Sequence, residues 1–293
     1  MAAIIPEGEL MWGMQLPIQS QSTIYAQPWE SSAGPPELAR VAIAAEAAGA
    51  FYVAVCDHIA IPKPLDETMG AVWYDTIATL GWLAAQTTRT HLLSHVAVLP
   101  YRHPLVTAKA WTTLDTLSAG RAILGVGAGH GARGFELLDR DFATRGRALD
   151  DAIDDVRRAF TDDSIRDAIV APRPHRSGGP PIWVGGSSPA AMRRAARAGD
   201  GWLPQGPPKV GMRAAVELIR AERGDRGPID LGGFAAPVRL DDSTSLDGIA
   251  DGMRKARALG LSHLQIRFLS DSCENLVEQI EQFGSELWPL VLS

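Results

Sequence analysis

Short, continuous apolar runs alternate along this chain with longer stretches in which apolar residues recur every three or four positions. The first pattern suits strands covered on both faces and the second suits amphipathic helices. Residues 12–18 read as a buried strand. Pro36-Glu37 then opens a helix over residues 36–49, whose Ala42, Ala45 and Ala48 allow close packing, and residues 51–56 form a second strand. The alternation continues with a helix over 75–88, a strand over 91–99 and a helix over 104–117 that Ser118-Ala-Gly120 ends. Strands at 122–126, 181–184 and 201–204 alternate with helices at 145–160, 189–198 and 208–223. A strand over 231–240, a helix over 245–259 with Gly260 as C-cap, a strand over 263–268 and a helix over 273–290 complete the chain.

Strand-then-helix units repeated in this way require a parallel sheet with helical crossovers. Eight such units match a closed (β/α)8 TIM barrel, which typically takes about 250 residues. No linker rich in Pro, Gly or Ser divides the chain, so residues 1–293 read as one domain. In such a barrel, function sits at the C-terminal ends of the strands and in the loops that follow. Topology alone therefore selects residues 15–19, Asp57-His58, Ser94-His95, residues 127–130 and 185–188, Gln205 and Arg267.

Composition narrows the partner. With 34 acidic against 28 basic side chains the net charge is −6, which speaks against a nucleic-acid protein. Cys56 and Cys273 are too few for a disulfide framework and read as reduced thiols. Glu7 and Glu9 stand where a secretory leader carries basic residues. The most apolar stretch, 41–56, is broken by Glu46 and Gly49 and is too short for a bilayer. The expectation is a soluble cytoplasmic protein that acts on a small molecule, away from nucleic acid and membrane.

Among the candidate sites, Gly185-Gly186-Ser187-Ser188-Pro189 is the sharpest. Two glycines leave a strand, Ser188 suits an N-cap and Pro189 a first helical turn. The amides of Gly186, Ser187 and Ser188 at a helix N-terminus would form an anion site, and the same residues also describe a plain well-capped turn. The run Gly125-Val-Gly127-Ala-Gly129-His-Gly131 contains a dinucleotide-type spacing with Gly134, yet Asp150 and Asp151 lie inside a charged helix, so the Rossmann context fails. These glycines either admit a flat ligand or relieve crowding at the rim. Asp57-His58 offers acid–base, cofactor or metal chemistry, or simply caps a loop. His58, His95 and His130 all fall at strand ends, but without His-x-His spacing no metal site is expected. No nucleophile elbow or Walker motif occurs. Trp73, Trp82 and Trp111 read as packing residues, and Arg193, Arg194 and Arg197 as a solvated helix face.

Taken in order, the motifs resemble those of the bacterial luciferase-like flavin and deazaflavin oxidoreductases. The resemblance is carried by Trp12-Gly-Met-Gln-Leu-Pro-Ile, Ala45-Glu-Ala-Ala-Gly, Val55-Cys-Asp-His-Ile-Ala-Ile-Pro and Leu99-Pro-Tyr-Arg-His-Pro. Leu114-Asp-Thr-Leu-Ser-Ala-Gly-Arg, Leu124-Gly-Val-Gly-Ala-Gly, Pro181-Ile-Trp-Val-Gly-Gly-Ser-Ser-Pro and Ala198-Gly-Asp-Gly-Trp-Leu-Pro continue it over nearly the whole chain. It implies a TIM barrel with a tricyclic cofactor across its mouth. Gly185, Gly186, Ser187 and Ser188 would hold the phosphate, Asp57 and His58 would contact the ring, and Gly127, Ala128 and Gly129 would line its edge. Ser94-His95 matches a non-prolyl cis peptide that backs the ring in relatives. The chain lacks the long insertions of many flavin-mononucleotide (FMN) monooxygenases and looks most like the subgroup that uses coenzyme F420. The implied reaction is hydride transfer to or from a C=C, C=N or C=O bond, with His58 and His130 as proton donors. An FMN-dependent monooxygenase and a non-catalytic flavin-binding protein are the alternatives. Relatives are often dimers, so a homodimer is expected.

Two departures bear on the substrate. Deazaflavin-dependent sugar-phosphate dehydrogenases of the family carry a Trp shortly after the Asp-His pair and a Glu where His130 stands. Here Ile-Ala-Ile-Pro follows His58, which argues against that substrate class. The segment 164–176 is shorter than in many relatives, which suggests a reduced lid and an open pocket.

Overall fold

The computed structural model describes residues 3–63, 65–165, 167–241 and 245–293. Nine parallel strands run in the order β3-β2-β1-β9-β8-β7-β6-β5-β4, and β3 also pairs with β5. They are β1 Met11–Gln15, β2 Tyr52–Val55, β3 His91–Ser94, β4 Ala97–Val98 and β5 Ala122–Gly127, then β6 Ile182–Gly185, β7 Gly201–Leu203, β8 Asp230–Phe234 and β9 His263–Gln265. The pairing of Leu92 with Ala122 closes the ring, and β3 and β4 are two halves of one stave. The result is the expected eight-stave barrel. Its outer helices are α1 Pro35–Ala47, α3 Thr76–Gln86, α4 Pro104–Leu117, α6 Arg145–Thr161, α7 Pro189–Ala198, α8 Met212–Arg223, α9 Leu246–Ala258 and α10 Cys273–Gln282, with α11 Trp288–Leu292 closing the chain. Short helices α2 Asp66–Met69 and α5 Ala132–Glu136 lie within loops on the C-terminal face.

The differences from the sequence pattern have local causes. The strand expected over 91–99 breaks because Ser94 still pairs with Val55, while a cis peptide follows at His95–Val96, one bond beyond the expected Ser94–His95. The strand expected over 231–240 ends at Phe234, and α8 starts at Met212 because Gly211, at φ +81°, turns the chain just before it. The last helix is interrupted by a π-turn, Phe283–Leu287, ahead of Pro289, which supplies no N–H. The segment 164–176 joins α6 to β6 and therefore lies at the N-terminal end of the barrel, where Arg176 N–H donates to Asp115 and His175 packs over Gly120. It cannot serve as a lid for a site at the opposite end. Residue 166 within it lies outside the described residues.

The main core lies between staves and helices. A second cluster fills the barrel itself, with Tyr52, Ala54, Leu93, Ile123, Trp183 and Leu203 around Ile5. There the Trp183 ring stacks on His263 at 4.4 Å, and the N–H groups of Ile4 and Ile5 donate to Asp230, closing the barrel's N-terminal end.

Burial makes the fold sensitive to acid. It pushes His91 and His95 down to about 4 and His263 to about 3, so all three are neutral when folded. Unfolded, each takes up a proton near pH 6.5. Their stabilisation is therefore complete above about pH 6.5 and is lost as pH falls toward the folded values. Asp230, raised to about 7 by burial, and Glu30, also raised by burial, act in the opposite sense, while His58, lowered by burial, acts with the three histidines. Between pH 6.5 and 4 the melting temperature should fall, and His91→Gln should make that fall shallower. Identical slopes for the two proteins would contradict a buried neutral His91.

Candidate functional site at the barrel mouth

Asp57 and His58 leave the end of β2 in opposite senses. Asp57 is buried, and both its oxygens are engaged within the protein. Arg102 donates to them at 2.6 and 2.7 Å, and Val98 N–H donates to Oδ2 at 2.8 Å. The pair thus fastens the end of β2 to β4 and to the turn before α4. The carboxylate expected to meet a cofactor ring is turned inward instead. His58 remains half-buried at the mouth, between the Trp73 ring at 4.2 Å and the His130 ring at 5.9 Å. Burial, and then the neighbouring His130, lower the His58 pKa, so the imidazole is neutral at pH 7.

On the adjacent stave lies the cis-linked His95–Val96. Val96 is clamped from two sides, since a Cβ on Gly127 would sit 2.5 Å from its Cγ2 and one on Gly185 would sit 2.7 Å from its Cγ1. A Cβ on Gly129 would meet Phe135 and Val98 at under 3 Å. These glycines therefore make room for the protein's own side chains at the rim, the second of the two readings the sequence allowed. Ala128 lies half-buried between them. Ser94 is buried, and its hydroxyl donates to Gly125 C=O. His95 pairs through Nε2 with the Gln205 carboxamide nitrogen at 3.1 Å, while its Nδ1 is buried without a partner among the described residues.

The diglycine turn is more fully used than its sequence suggests. Gly186 N–H donates to Leu203 C=O, so it is withdrawn from the expected anion site. Ser187 Oγ donates to Gly206 C=O and accepts from Gln205 N–H, and Ser188 Oγ caps Ala191 N–H. The N–H groups of Ser187 and Ser188 have no partner among the described residues, and they stand at the N-terminus of the 10-residue α7. That is a smaller cradle than expected, yet one suited to an anion. The arginines of α7 contribute nothing to it, because Arg193 and Arg197 pair with Glu222 and Arg194 with Asp150.

The remaining rim is built from two loops joined side by side. Gln21 N–H donates to Val72 C=O, Tyr74 N–H donates to Gln19 C=O, and Ser20 bridges Trp73. Glu30 anchors the first loop by accepting from Ile18 and Gln27 N–H groups. Arg267, one of the strand-end residues, donates to Tyr25 C=O and so belongs to this scaffold. Cys56 is half-buried with its thiol pushed up to about 12 by burial, which leaves it inert as a nucleophile. Among the described residues, no three His, Cys, Asp or Glu side chains gather as a metal site.

Two residues of this site carried no role in the sequence reading. Trp73, expected to pack, lines the mouth, and no periodicity distinguishes it. Arg102 was visible only within the Leu-Pro-Tyr-Arg-His-Pro motif, because its partner lies 45 residues away.

Comparison with known proteins now decides the family, since the luciferase-like monooxygenase model matches residues 11–252. The chain belongs to the luciferase-like family. An uncharacterised protein of Mycobacterium tuberculosis is 32% identical over 82% of this chain and 94% of its own length. The F420-dependent glucose-6-phosphate dehydrogenase of Amycolatopsis mediterranei is 30% identical over 58% of this chain and 53% of its own. The crystal structure of monooxygenase RslO1 from Streptomyces bottropensis superposes with a TM-score of 0.78 at 18% identity, covering 95% of this chain and 99% of that one. At that identity the likeness is one of fold. The relatives similar in sequence thus include both F420-dependent glucose-6-phosphate dehydrogenases and a monooxygenase, and no helix among the described residues is long and apolar enough to cross a membrane.

Proposed function

We propose that the protein is an oxidoreductase that binds coenzyme F420 across the barrel mouth and exchanges hydride with a small organic substrate at a C=C, C=N or C=O bond. The observation that carries this reading is the pair of Ser187 and Ser188 N–H groups, unpartnered among the described residues, at the same end of the barrel as His58 and His130. The F420-dependent relative supports it. When bound, a deazaflavin gives or takes hydride at carbon and activates oxygen poorly, and the remaining work falls to the chain.

Ser187 and Ser188 N–H groups, reinforced by the α7 dipole, hold the anionic tail. Val96, fixed by Gly127 and Gly185, presents an apolar floor for the flat ring. The joined loops exclude water beside His58. Because His58 is neutral at pH 7, it is suited to accept a proton from an alcohol or amine undergoing oxidation, and it donates only once acid has charged it. This modifies the sequence expectation of a proton donor, and exposed His130 is the second imidazole at the mouth, its ring 5.9 Å from that of His58.

With a panel of alcohols, enones and imines, His58→Ala should lower turnover about 100-fold while leaving F420 fluorescence quenching unchanged. In the oxidation direction, the acidic limb of the pH profile should lie below pH 6.5, the ordinary histidine range. Oxygen consumption matching substrate turnover, or full activity in His58→Ala, would contradict the reading.

A further inference from the structure

The joined loops point to the class of molecule that sits beside His58. Their outward side chains are unusually apolar. Ile24 and Tyr25 on the first loop are 62% and 59% exposed, and Ile59 and Val72 on the second are 49% and 50% exposed. They belong to the two loops that join at Ser20 and Trp73, and the Trp73 ring lies 4.2 Å from that of His58 while its Nε1 donates to Gly70 C=O at 3.1 Å. Gly70 is required there, because any Cβ would lie 1.9 Å from Gln21 C=O of the opposing loop. The backbone thus holds an aromatic wall against the imidazole, between two loops that expose apolar side chains.

The charges on this face are arranged the other way. Arg102 is locked by Asp57, and Arg267 is held by Tyr25 C=O with its guanidinium 5.3 Å from the Tyr25 ring. The other cations of these βα loops, Lys63, Arg133, Arg140, Lys209 and Arg239, are exposed. Half-buried Arg145, at the start of α6, is held in the same way by Phe142 C=O with its guanidinium 3.8 Å from the Phe142 ring, so among the described residues each half-buried cation of these loops is already engaged within the protein. An anionic substrate would have to shed its hydration without a compensating partner, whereas an apolar one gains from covering exposed Ile, Val and Trp surface.

We infer that the substrate is an uncharged, largely apolar molecule that lays a flat face on Trp73, and that Trp73 is a specificity-determining residue. This rests on the reading of the mouth as the F420 site, so cofactor and substrate-side binding are measured separately on each variant.

The probe is Nile red, a neutral planar dye, titrated into the full-length protein and followed by its emission. Wild type and Trp73→Phe should bind the dye, Trp73→Ala and Val72→Lys should weaken it at least about tenfold, and F420 quenching should persist in all four. Ile169→Lys, at the opposite end of the barrel, should behave as wild type. Glucose 6-phosphate should not displace the dye. No dye binding by wild type, equal loss in Ile169→Lys, displacement by glucose 6-phosphate, or dye binding that falls as protein concentration rises through self-association of these loops would each overturn the inference. If F420 binds normally in those cases, the cofactor reading stands without it. If F420 fails to bind wild type, the cofactor reading fails instead.

Discussion

Arg102→Ala should destabilise the protein by about 3–5 kcal/mol, the cost of leaving a buried carboxylate without its partner. The Asp57 side chain is only 2% exposed and that of Arg102 is 24% exposed, so the arginine's partial contact with water favours the lower half of that range. Neither oxygen of Asp57 can turn to solvent, and Val98 N–H would remain its lone donor. The loss should also reach function, because the same clamp fixes the chain immediately before His58. Arg102→Lys, which restores charge without the bidentate geometry, should recover part of the stability. Thermal unfolding of the three proteins provides the measurement. A melting temperature for Arg102→Ala within about 2 °C of wild type would show that the pair contributes little.

Gly127→Ala should weaken F420 binding by about 10- to 100-fold. The added methyl would lie 2.5 Å from Val96 Cγ2. Val96 cannot yield sideways, because Gly185 holds its other methyl and a β-branched side chain has little freedom at χ1. Its remaining direction is into the mouth. Overpacking of this kind costs about 1–3 kcal/mol, and a factor of ten corresponds to about 1.4 kcal/mol. Adding Val96→Ala should restore much of the affinity, which a simple folding defect would not show. Unchanged F420 affinity in Gly127→Ala would mean that Val96 is not part of the floor.

Much of this architecture was legible before any coordinates. Period-2 and period-3.6 segments alternate through eight units, and each unit needs only local pattern and end signals such as Pro104, Ser188 and Gly260. The strand ends could then be read off, which brought His58, His130, Val96's neighbour His95 and the diglycine turn onto one face. What failed to show were relations between segments distant in sequence. Arg102 meets Asp57 across 45 residues, and Trp73 reaches His58 because the long connection between β2 and α3 folds back on itself. Hydrogen-bond accounting was equally hidden. Gly186 looks as free as Ser187 in the sequence, yet its N–H is taken by Leu203, a strand away. The segment 164–176 illustrates the same point, since its length was visible but the barrel end it occupies was not.

The central claim to test is that a deazaflavin is gripped by the Ser187 and Ser188 amides above Val96. Its most direct measurement is a titration of the purified protein with F420 and, separately, with FMN, followed by quenching of cofactor fluorescence. F420 fluorescence should be quenched saturably at micromolar concentration, with markedly weaker binding of FMN. Saturable binding of FMN alone, or no quenching by either, would contradict it.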